Sequence, residues 1–303
     1  MSGEPPLTAG AERTVGSALR EARDLLEAAG VPDAAREAAE LYAALTARAT
    51  GAAWLERGEA APAPLRARFE AAARRRAAGW PQAYAAGRAN FRGHWLTVDR
   101  RVLIPRPETE GLVDLVLAWA RERRAAGGAA PVVADVGTGS GAIAVALALE
   151  SPARRIVATD ASFAALEVAR GNLAEHGVGS RVALLRGHLL APLAPGRFDA
   201  VVSNPPYVAT GAWERLAPSV RDFEPREALD GGPDGLAAFR ELGRAAWAAL
   251  RPGGLLALEV DAPRAARVAE LVAAAGFASP AVLEDLCGRP RYVRARRSID
   301  GSD

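Results

Sequence analysis

The chain is 303 residues long and half of them are apolar, which is enough for two domains with a sizeable core and argues against a disordered protein. Its 38 basic and 36 acidic side chains leave a formal charge of only +2, interleaved along the sequence, so no polyanion footprint stands out. Every basic residue is arginine, and the absence of lysine excludes a P-loop lysine, a Schiff-base lysine and a pyridoxal-phosphate linkage.

Met1 to Thr14 is polar, with no basic stretch followed by an apolar core, and no apolar run reaches spanning length, so a soluble cytoplasmic protein is expected. From Thr14 to about Gly79 the pattern predicts a helix, a turn, a helix, a longer linker and a third helix. Leu19, Leu25, Leu26, Leu41, Leu45, Leu65 and Phe69 recur there at helical intervals. Thr14 or Ser17 is the candidate cap of the first helix, Gly30 and Pro32 punctuate its end, and Pro62-Ala63-Pro64 opens the third. Arg74-Arg75-Arg76, with Glu70 one turn away, reads as a solvated helix face rather than a nucleic-acid patch, and a protein partner is the other use for it.

Between Trp80 and Leu103 the composition shifts to glycine, aromatic and β-branched residues. Tyr84, Phe91, Trp95, Val98 and Val102, separated by Gly87 and Gly93, predict a β-hairpin bridging two domains. It runs into Ile104-Pro105-Arg106-Pro107-Glu108-Thr109-Glu110, whose prolines stiffen the entry to a helix ending near Ala125. From Pro131 onward strands and helices alternate. Strands are expected over Val132–Asp135, Ile156–Thr159, Val182–Leu185, Ala200–Ser203 and Leu255–Val260. Helices are expected over Ile143–Leu149, Phe163–Leu173, Leu236–Leu250 and Ala265–Ala275, with short closing strands near Ala281–Leu283 and Tyr292–Ala295. Such alternation predicts an α/β domain, a mostly parallel sheet with helices on both faces, and a ligand site at the strand carboxyl ends near the topological switch point.

Two segments at those strand ends carry chemistry. Asp135-Val136-Gly137-Thr138-Gly139-Ser140-Gly141 follows an apolar strand and opens an apolar helix, so its glycines provide a tight turn with bare backbone facing a ligand. Asp160, about twenty residues on, matches the acid that grips a ribose by two hydroxyls. Gly137, Gly139 and Ala142 also satisfy the dinucleotide fingerprint, so NAD and S-adenosylmethionine both fit this segment. The extra glycine at 141, and Asp135 placed to balance a cationic methionine portion, favour S-adenosylmethionine. The second segment is Asn204-Pro205-Pro206-Tyr207, behind the fourth parallel strand. Its prolines fix their own φ and remove two donors, leaving a surface rich in carbonyl acceptors beside an amide and an aromatic ring. An Asn-Pro turn closing a strand is the plainer alternative; with the glycine loop nearby, a planar NH2 group of a nucleobase or of a side-chain amide is the better occupant. A dehydrogenase would want a proton-relaying His, Lys or Tyr, and only His188 or Tyr207 qualifies.

Cys287, the single cysteine, is expected to be a packing residue. His94, His176 and His188 are far apart in sequence without ligand spacing, so no metal is expected.

Taken together, these segments resemble the HemK/PrmC family of release-factor glutamine methyltransferases, over nearly the whole chain. The resemblance rests on Phe91-Arg92-Gly93, on the run from Val102 to Glu110, on the glycine loop, on Ser203 to Tyr207 and on Phe223-Glu224-Pro225. Ala228-Leu229 and Gly231-Gly232-Pro233-Asp234-Gly235-Leu236 extend it. The I-P-R-P-E-T-E block is the most specific element, since DNA adenine and ribosomal RNA guanine methyltransferases share only the loop and a related tetrad.

What the resemblance implies is a Rossmann-like class I S-adenosylmethionine-dependent methyltransferase domain with a seven-stranded, mostly parallel sheet, joined by a β-hairpin to a small N-terminal helical domain. The expected division is residues 1–80 for a substrate-docking helical domain, 81–107 for the hairpin linker and 108–303 for the catalytic domain. The implied reaction methylates the side-chain amide of the glutamine in the Gly-Gly-Gln loop of class-1 peptide chain release factors. Carried onto this sequence, Asp135, Gly137, Thr138, Gly139, Ser140, Gly141, Asp160, Leu189 and Asn204 hold S-adenosylmethionine. Asn204, Pro205, Pro206 and Tyr207 hold the glutamine, with Asn204, Pro205 and Tyr207 in the catalytic role. Two departures stand out: His188 where an acidic residue usually meets the adenine, and Asp261-Ala262-Pro263-Arg264 where a glycine-rich turn is usual.

A monomer is expected, with no stable nucleic-acid or membrane partner. Two alternatives remain at the level of sequence. One is a nucleic-acid methyltransferase acting on an exocyclic amine, which would call for a basic groove and stacking aromatics. The other is a catalytically silent S-adenosylmethionine-binding partner protein, against which Asn204 and Tyr207 both argue.

Overall fold

A computed structural model describes residues 14–298, so the polar segment before Thr14 and the outer ends of the expected domains lie outside the described residues. The described residues form two compact units, divided between Ala89 and Asn90. The first contains helices α1 (Val15–Ala28), α2 (Ala34–Thr46), α3 (Ala52–Leu55), α4 (Ala63–Ala77) and α5 (Gln82–Ala86). Thr14 supplies the cap of α1, its hydroxyl oxygen accepting the Ser17 N–H at 3.2 Å, and Pro64 lies in the first turn of α4. Leu26, Leu41, Tyr42 and Phe69 are buried among the helices, with the Tyr42 and Phe69 rings edge to face. Two arginines of the 74–76 run are spent within this unit: Arg74 pairs with Glu70 at 2.7 Å and Arg76 with Glu37 at 2.9 Å.

One expectation fails here. Tyr84 belongs to the expected strand pattern, but it is buried in α5, between Pro81 and a Gly87 that takes φ +74°. The run Gln82-Ala83-Tyr84-Ala85-Ala86 is mostly alanine, and its helix propensity outweighs one aromatic. The hairpin is accordingly shorter than expected, strands β1 (Arg88–Phe91) and β2 (His94–Thr97), and the unit boundary falls inside β1. Arg92 and Gly93 both take positive φ, the geometry of a two-residue loop matched to strand twist.

The second unit continues with α6 (Pro107–Ala125), β3 (Val132–Val136), α7 (Ala142–Glu150), β4 (Arg155–Asp160), α8 (Phe163–Glu175), β5 (Val182–Arg186), β6 (Phe198–Ser203), α9 (Pro218–Arg221) and α10 (Ala237–Ala249). It closes with β7 (Leu250–Glu259), α11 (Ala265–Ala274), β8 (Phe277–Glu284) and β9 (Pro290–Arg297). The sheet has seven strands in the order β5-β4-β3-β6-β7-β9-β8, with β9 antiparallel to both β7 and β8 and the other pairs parallel. Strand alternation divides the core into two layers. Val133, Ala200, Val202, Leu255 and Ala257 face the cluster of α6 and α7, while Ala134, Val136, Val201, Leu256 and Leu258 face the cluster of α10 and α11. The chain order reverses between β3 and β6, so the crevice opens where β3 and β6 end, at Gly137 and Asn204.

One further expectation is corrected. Cys287 is exposed, in the turn between β8 and β9, where its neighbours Leu286 and Gly288 are exposed as well. The rings of His94 and His176 lie 5.7 Å apart, since β2 packs on α8, although 81 residues separate His176 from its hydrogen-bond partner Trp95. No group of three metal-ligating side chains occurs among the described residues.

Candidate active site

The loop after β3 is built by its glycines. Gly137, Gly139 and Gly141 take φ of +72°, +54° and +82°, a conformation other residues adopt only with strain. The Gly137 and Thr138 N–H groups both donate to the Thr159 carbonyl at 2.9 Å, which ties the loop to the end of β4. A Cβ at Gly137 or Gly139 would meet nothing within 4 Å, so bare backbone faces open space there, whereas at Gly141 it would press on Ala169 at 3.2 Å. Gly141 thus serves helix packing and the other two leave room for a ligand.

Asp135 is fully buried beneath this loop. Its Oδ2 accepts the Thr138 hydroxyl at 2.6 Å, and its Oδ1 has no hydrogen-bond partner. Burial, with the charge of Asp160 adding to it, pushes the Asp135 carboxyl up to about 7 against the pull of Thr138. Ser140 is buried as well, and its carbonyl accepts from Asn172 at 2.8 Å. Asp160 sits at the tip of β4, half-buried, with Oδ2 accepting the Gly139 N–H and Oδ1 the Ser162 N–H, both at 2.9 Å. Each oxygen keeps a further lone pair for a ligand hydroxyl.

These residues fit S-adenosylmethionine: open space over two glycines, a partnerless buried carboxylate oxygen and a second carboxylate at the end of the neighbouring strand. Replacing Asp160 with alanine is expected to raise the S-adenosylmethionine dissociation constant roughly ten- to hundredfold, because hydrogen bonds to a charged acceptor are lost. Titration calorimetry reads this directly, and an unchanged constant removes Asp160 from the ribose.

Of the two residues expected around an adenine, Leu189 takes φ +46° and its carbonyl accepts the Thr159 hydroxyl at 2.9 Å, so β4 holds the strained turn after β5. His188 turns elsewhere: it is exposed and paired with Glu241 at 2.8 Å.

Asn204 to Tyr207 leaves the end of β6, and Ser203 anchors the exit by donating its hydroxyl to the Val136 carbonyl at 2.7 Å. The segment is clamped from outside. Val208 N–H donates to Leu229 and Gly231 N–H to Val208, at 2.9 and 2.8 Å. Any side chain at Gly231 would strike the Pro206 carbonyl at 2.6 Å, and one at Gly235 would collide with the Tyr207 carbonyl and the Arg264 guanidinium. Gly231 and Gly235 therefore exist to let the loop pass. Arg264, in the unusual Asp261-Ala262-Pro263-Arg264 turn, pairs with Asp261 and donates to the Asp234 carbonyl at 2.8 Å, filling this corner. The Tyr207 phenol is pushed up to about 12, first by burial and then by the nearby Glu259, so it stays neutral.

The I-P-R-P-E-T-E block holds the other side of the crevice. Pro107 opens α6, Arg106 pairs with the buried Glu224 of Phe223-Glu224-Pro225, and Glu224 also takes the Ile104 N–H at 3.1 Å. Glu110 accepts the Arg92 N–H at 2.9 Å, and the Tyr292 hydroxyl donates to the Glu108 carbonyl at 2.5 Å. Thr109, buried, accepts Asn204 Nδ2–H at 3.1 Å, and the buried Glu259 closes the adjacent strand. Sequence reasoning missed Thr109, Glu224 and Glu259 as site residues. The available signal was a lone acid closing the apolar run Leu255-Leu256-Ala257-Leu258-Glu259.

Comparison with known proteins follows the same division. Residues 17–87 match the PrmC N-terminal domain family, and residues 123–218 match the methyltransferase small domain family. The release factor glutamine methyltransferase of Cereibacter sphaeroides is 46% identical over 279 residues, spanning 92% of this chain and 97% of that protein. The protein of the same name from Moorella thermoacetica is 44% identical over 286 residues, 94% of this chain and 99% of its own length. Among solved structures, a methyltransferase from Pyrococcus furiosus superposes with a TM-score of 0.50 at 18% identity, over 67% of this chain and 89% of its own, a likeness of fold alone.

Proposed function

Because the chain belongs to the release factor glutamine methyltransferase family, we propose that it transfers a methyl group from S-adenosylmethionine to the side-chain amide nitrogen of the glutamine in the Gly-Gly-Gln motif of class-1 release factors. The observation that carries this is the junction of Asn204-Pro205-Pro206-Tyr207 with the glycine loop, at the strand ends where the chain order reverses.

Bound S-adenosylmethionine supplies the electrophilic methyl of its sulfonium. An amide nitrogen is a weak nucleophile because its lone pair is delocalised into the carbonyl, so the protein must orient it. Asn204 Oδ1 and the Pro205 carbonyl accept the two amide N–H bonds, which aims the lone pair at the methyl, and Tyr207 packs on the amide plane. No strong base is needed before transfer, since the methylated nitrogen becomes acidic and loses its proton afterwards. Alignment of this kind can contribute about 7 to 11 kcal/mol to catalysis. A monomer as the active species and a cytoplasmic location belong to the same reading. No helix among the described residues is long and apolar enough to cross a membrane.

Mass spectrometry of a Gly-Gly-Gln release factor, incubated with enzyme, cofactor and nuclease, is expected to show one added methyl on that glutamine. Transfer to RNA or DNA instead, with the release factor unmodified, refutes the proposal.

A further inference from the structure

Parallel strands are normally packed on both faces. In this sheet one face is left bare over β4 and β5. Register places Val132, Arg155, Val157, Ala183 and Leu185 on the same side as Ala134, the side on which α10 and α11 lie. Those two helices pack over β7, β8 and β9. The crossover from β5 to β6 forms no helix of its own, because Gly187 to Arg197 contains Pro192 and Pro195 and runs as turns. Leu185, on the edge strand, is therefore 38% exposed.

What the bare face leaves is an open groove of about 530 Å3. Val132, Val157, Leu185 and Leu193 give it an apolar floor, and Arg154, Arg155, Arg197 and Arg251 supply its charge, with no acidic side chain in the lining. The crossover wall is held in place. Leu193 N–H donates to the Leu190 carbonyl at 2.9 Å, and the Gly196 and Arg197 N–H groups donate to the Ala248 and Ala249 carbonyls at 2.9 and 3.0 Å. The groove is thus formed before anything enters it.

Positive charge is left over there. Arg251 meets Asp199 at 2.8 Å, but that carboxylate also takes Arg123 at 3.1 Å. Arg155 donates to the Ser180 carbonyl at 3.1 Å, a neutral acceptor. Arg154 and Arg197, both exposed, have no ion pair or side-chain hydrogen bond among the described residues. Guanidinium groups pair best with carboxylates, two bonds at a time. An apolar floor beside them asks for apolar side chains on the same partner. Bases of a nucleic acid would want an aromatic to stack on, and the one aromatic in the lining, Phe198, is only 4% exposed. A groove this open also buries too little of a small ligand.

We propose that this groove is a docking site for an extended acidic segment of a partner protein, whose apolar side chains lie on the floor while its carboxylates meet the arginines. Val132, Arg155 and Phe198 belong to the starts of β3, β4 and β6, the ends remote from Gly137 and Asn204. A partner seated there leaves the cofactor crevice open.

The test uses the full chain with S-adenosylmethionine and a fluorescein-labelled peptide of four Glu-Leu repeats, read by fluorescence anisotropy. The expected dissociation constant is roughly 1 to 100 μM, weakening as salt is raised. Lys-Leu and Glu-Ser peptides and a single-stranded RNA octamer are each expected to bind at least about tenfold more weakly, since each lacks the carboxylates, the apolar side chains or both. Reversing two charges in the Arg154→Glu/Arg197→Glu variant is expected to weaken Glu-Leu binding at least about tenfold, whereas Arg170→Glu, on exposed α8 surface, changes it less than about twofold.

No binding of the Glu-Leu peptide, or equal losses in the two variants, overturns the proposal. RNA that binds more tightly than the peptide overturns it in favour of a nucleic acid. The kcat for methyl transfer to a Gly-Gly-Gln release factor stays within about twofold in the Arg154→Glu/Arg197→Glu variant, which shows that the fold is intact. Peptide binding in a protein that methylates no release factor refutes the reaction and leaves the docking site standing.

Discussion

An Asn204→Ala enzyme is expected to lose about a hundredfold in kcat on a release-factor substrate while binding S-adenosylmethionine nearly as well as the unaltered protein. The loss corresponds to about 3 kcal/mol, the usual cost of removing one aligned polar contact that matters most in the transition state. The amide oxygen would be the lost group. The Pro205 carbonyl remains, but a single acceptor leaves the substrate NH2 free to rotate back into conjugation. The fold should tolerate the change: the side chain makes one hydrogen bond, to Thr109, and losing such a bond costs about 1 kcal/mol. Single-turnover methyl transfer together with calorimetric cofactor binding separates the two effects. A variant that turns over at a near-normal rate would refute the acceptor role of Asn204.

The second large effect is on stability and is read without substrate. Asp135 is held protonated up to about 7 in the folded protein, against an ordinary value of 3.8, with burial as the first cause and Asp160 adding to it. The sign follows from proton binding. Between roughly pH 4 and 7 the native state binds this proton more tightly than the unfolded chain, so stability is fullest below the ordinary value and falls as pH rises through the native one. Above pH 7 the buried charge costs on the order of 4 kcal/mol at most. Glu259, also pushed up to about 7 by burial, shifts stability in the same direction.

The expected result is that Asp135→Asn, without cofactor, melts several degrees above the unaltered protein at pH 8 and by a clearly smaller margin at pH 5. A melting difference that is the same at both pH values would show that the buried carboxylate is not the cause. A cationic group brought to the partnerless Oδ1 would favour the ionised form. The same variant should therefore bind S-adenosylmethionine more weakly while being the more stable protein, a trade that ties the buried charge to ligand binding rather than to the fold.

The parts of this protein that the sequence determined are those in which neighbouring residues impose a geometry by themselves. Glycines at 137, 139 and 141 declare a loop with positive φ, prolines at 205 and 206 declare a rigid acceptor-rich exit from a strand, and alternating apolar runs declare a sheet covered on both faces. Arg74, exposed and paired with Glu70, fits the expected solvated face of the basic run, whereas Arg76 is turned inward to a partly buried pair with Glu37. Where a short segment sends mixed local signals, as at Gln82–Ala86, the sequence misled, because alanine-rich helix propensity and one aromatic pull in opposite directions. Exposure of Cys287 was hidden for another reason: burial depends on what lies above a turn, not on the turn's own residues.

Only the tertiary structure decided how the crevice is supported. Thr109 and Asn204 come from a helix and a loop that are adjacent solely through sheet order and register, and Glu224 meets Arg106 across 118 residues. No periodicity in the chain encodes such meetings. They follow from which strands pair, from which face each side chain takes and from a helix that is pinned to one end of the sheet. The sequence thus determined which groups could hold a planar amide, and the fold determined which residues meet them across the crevice.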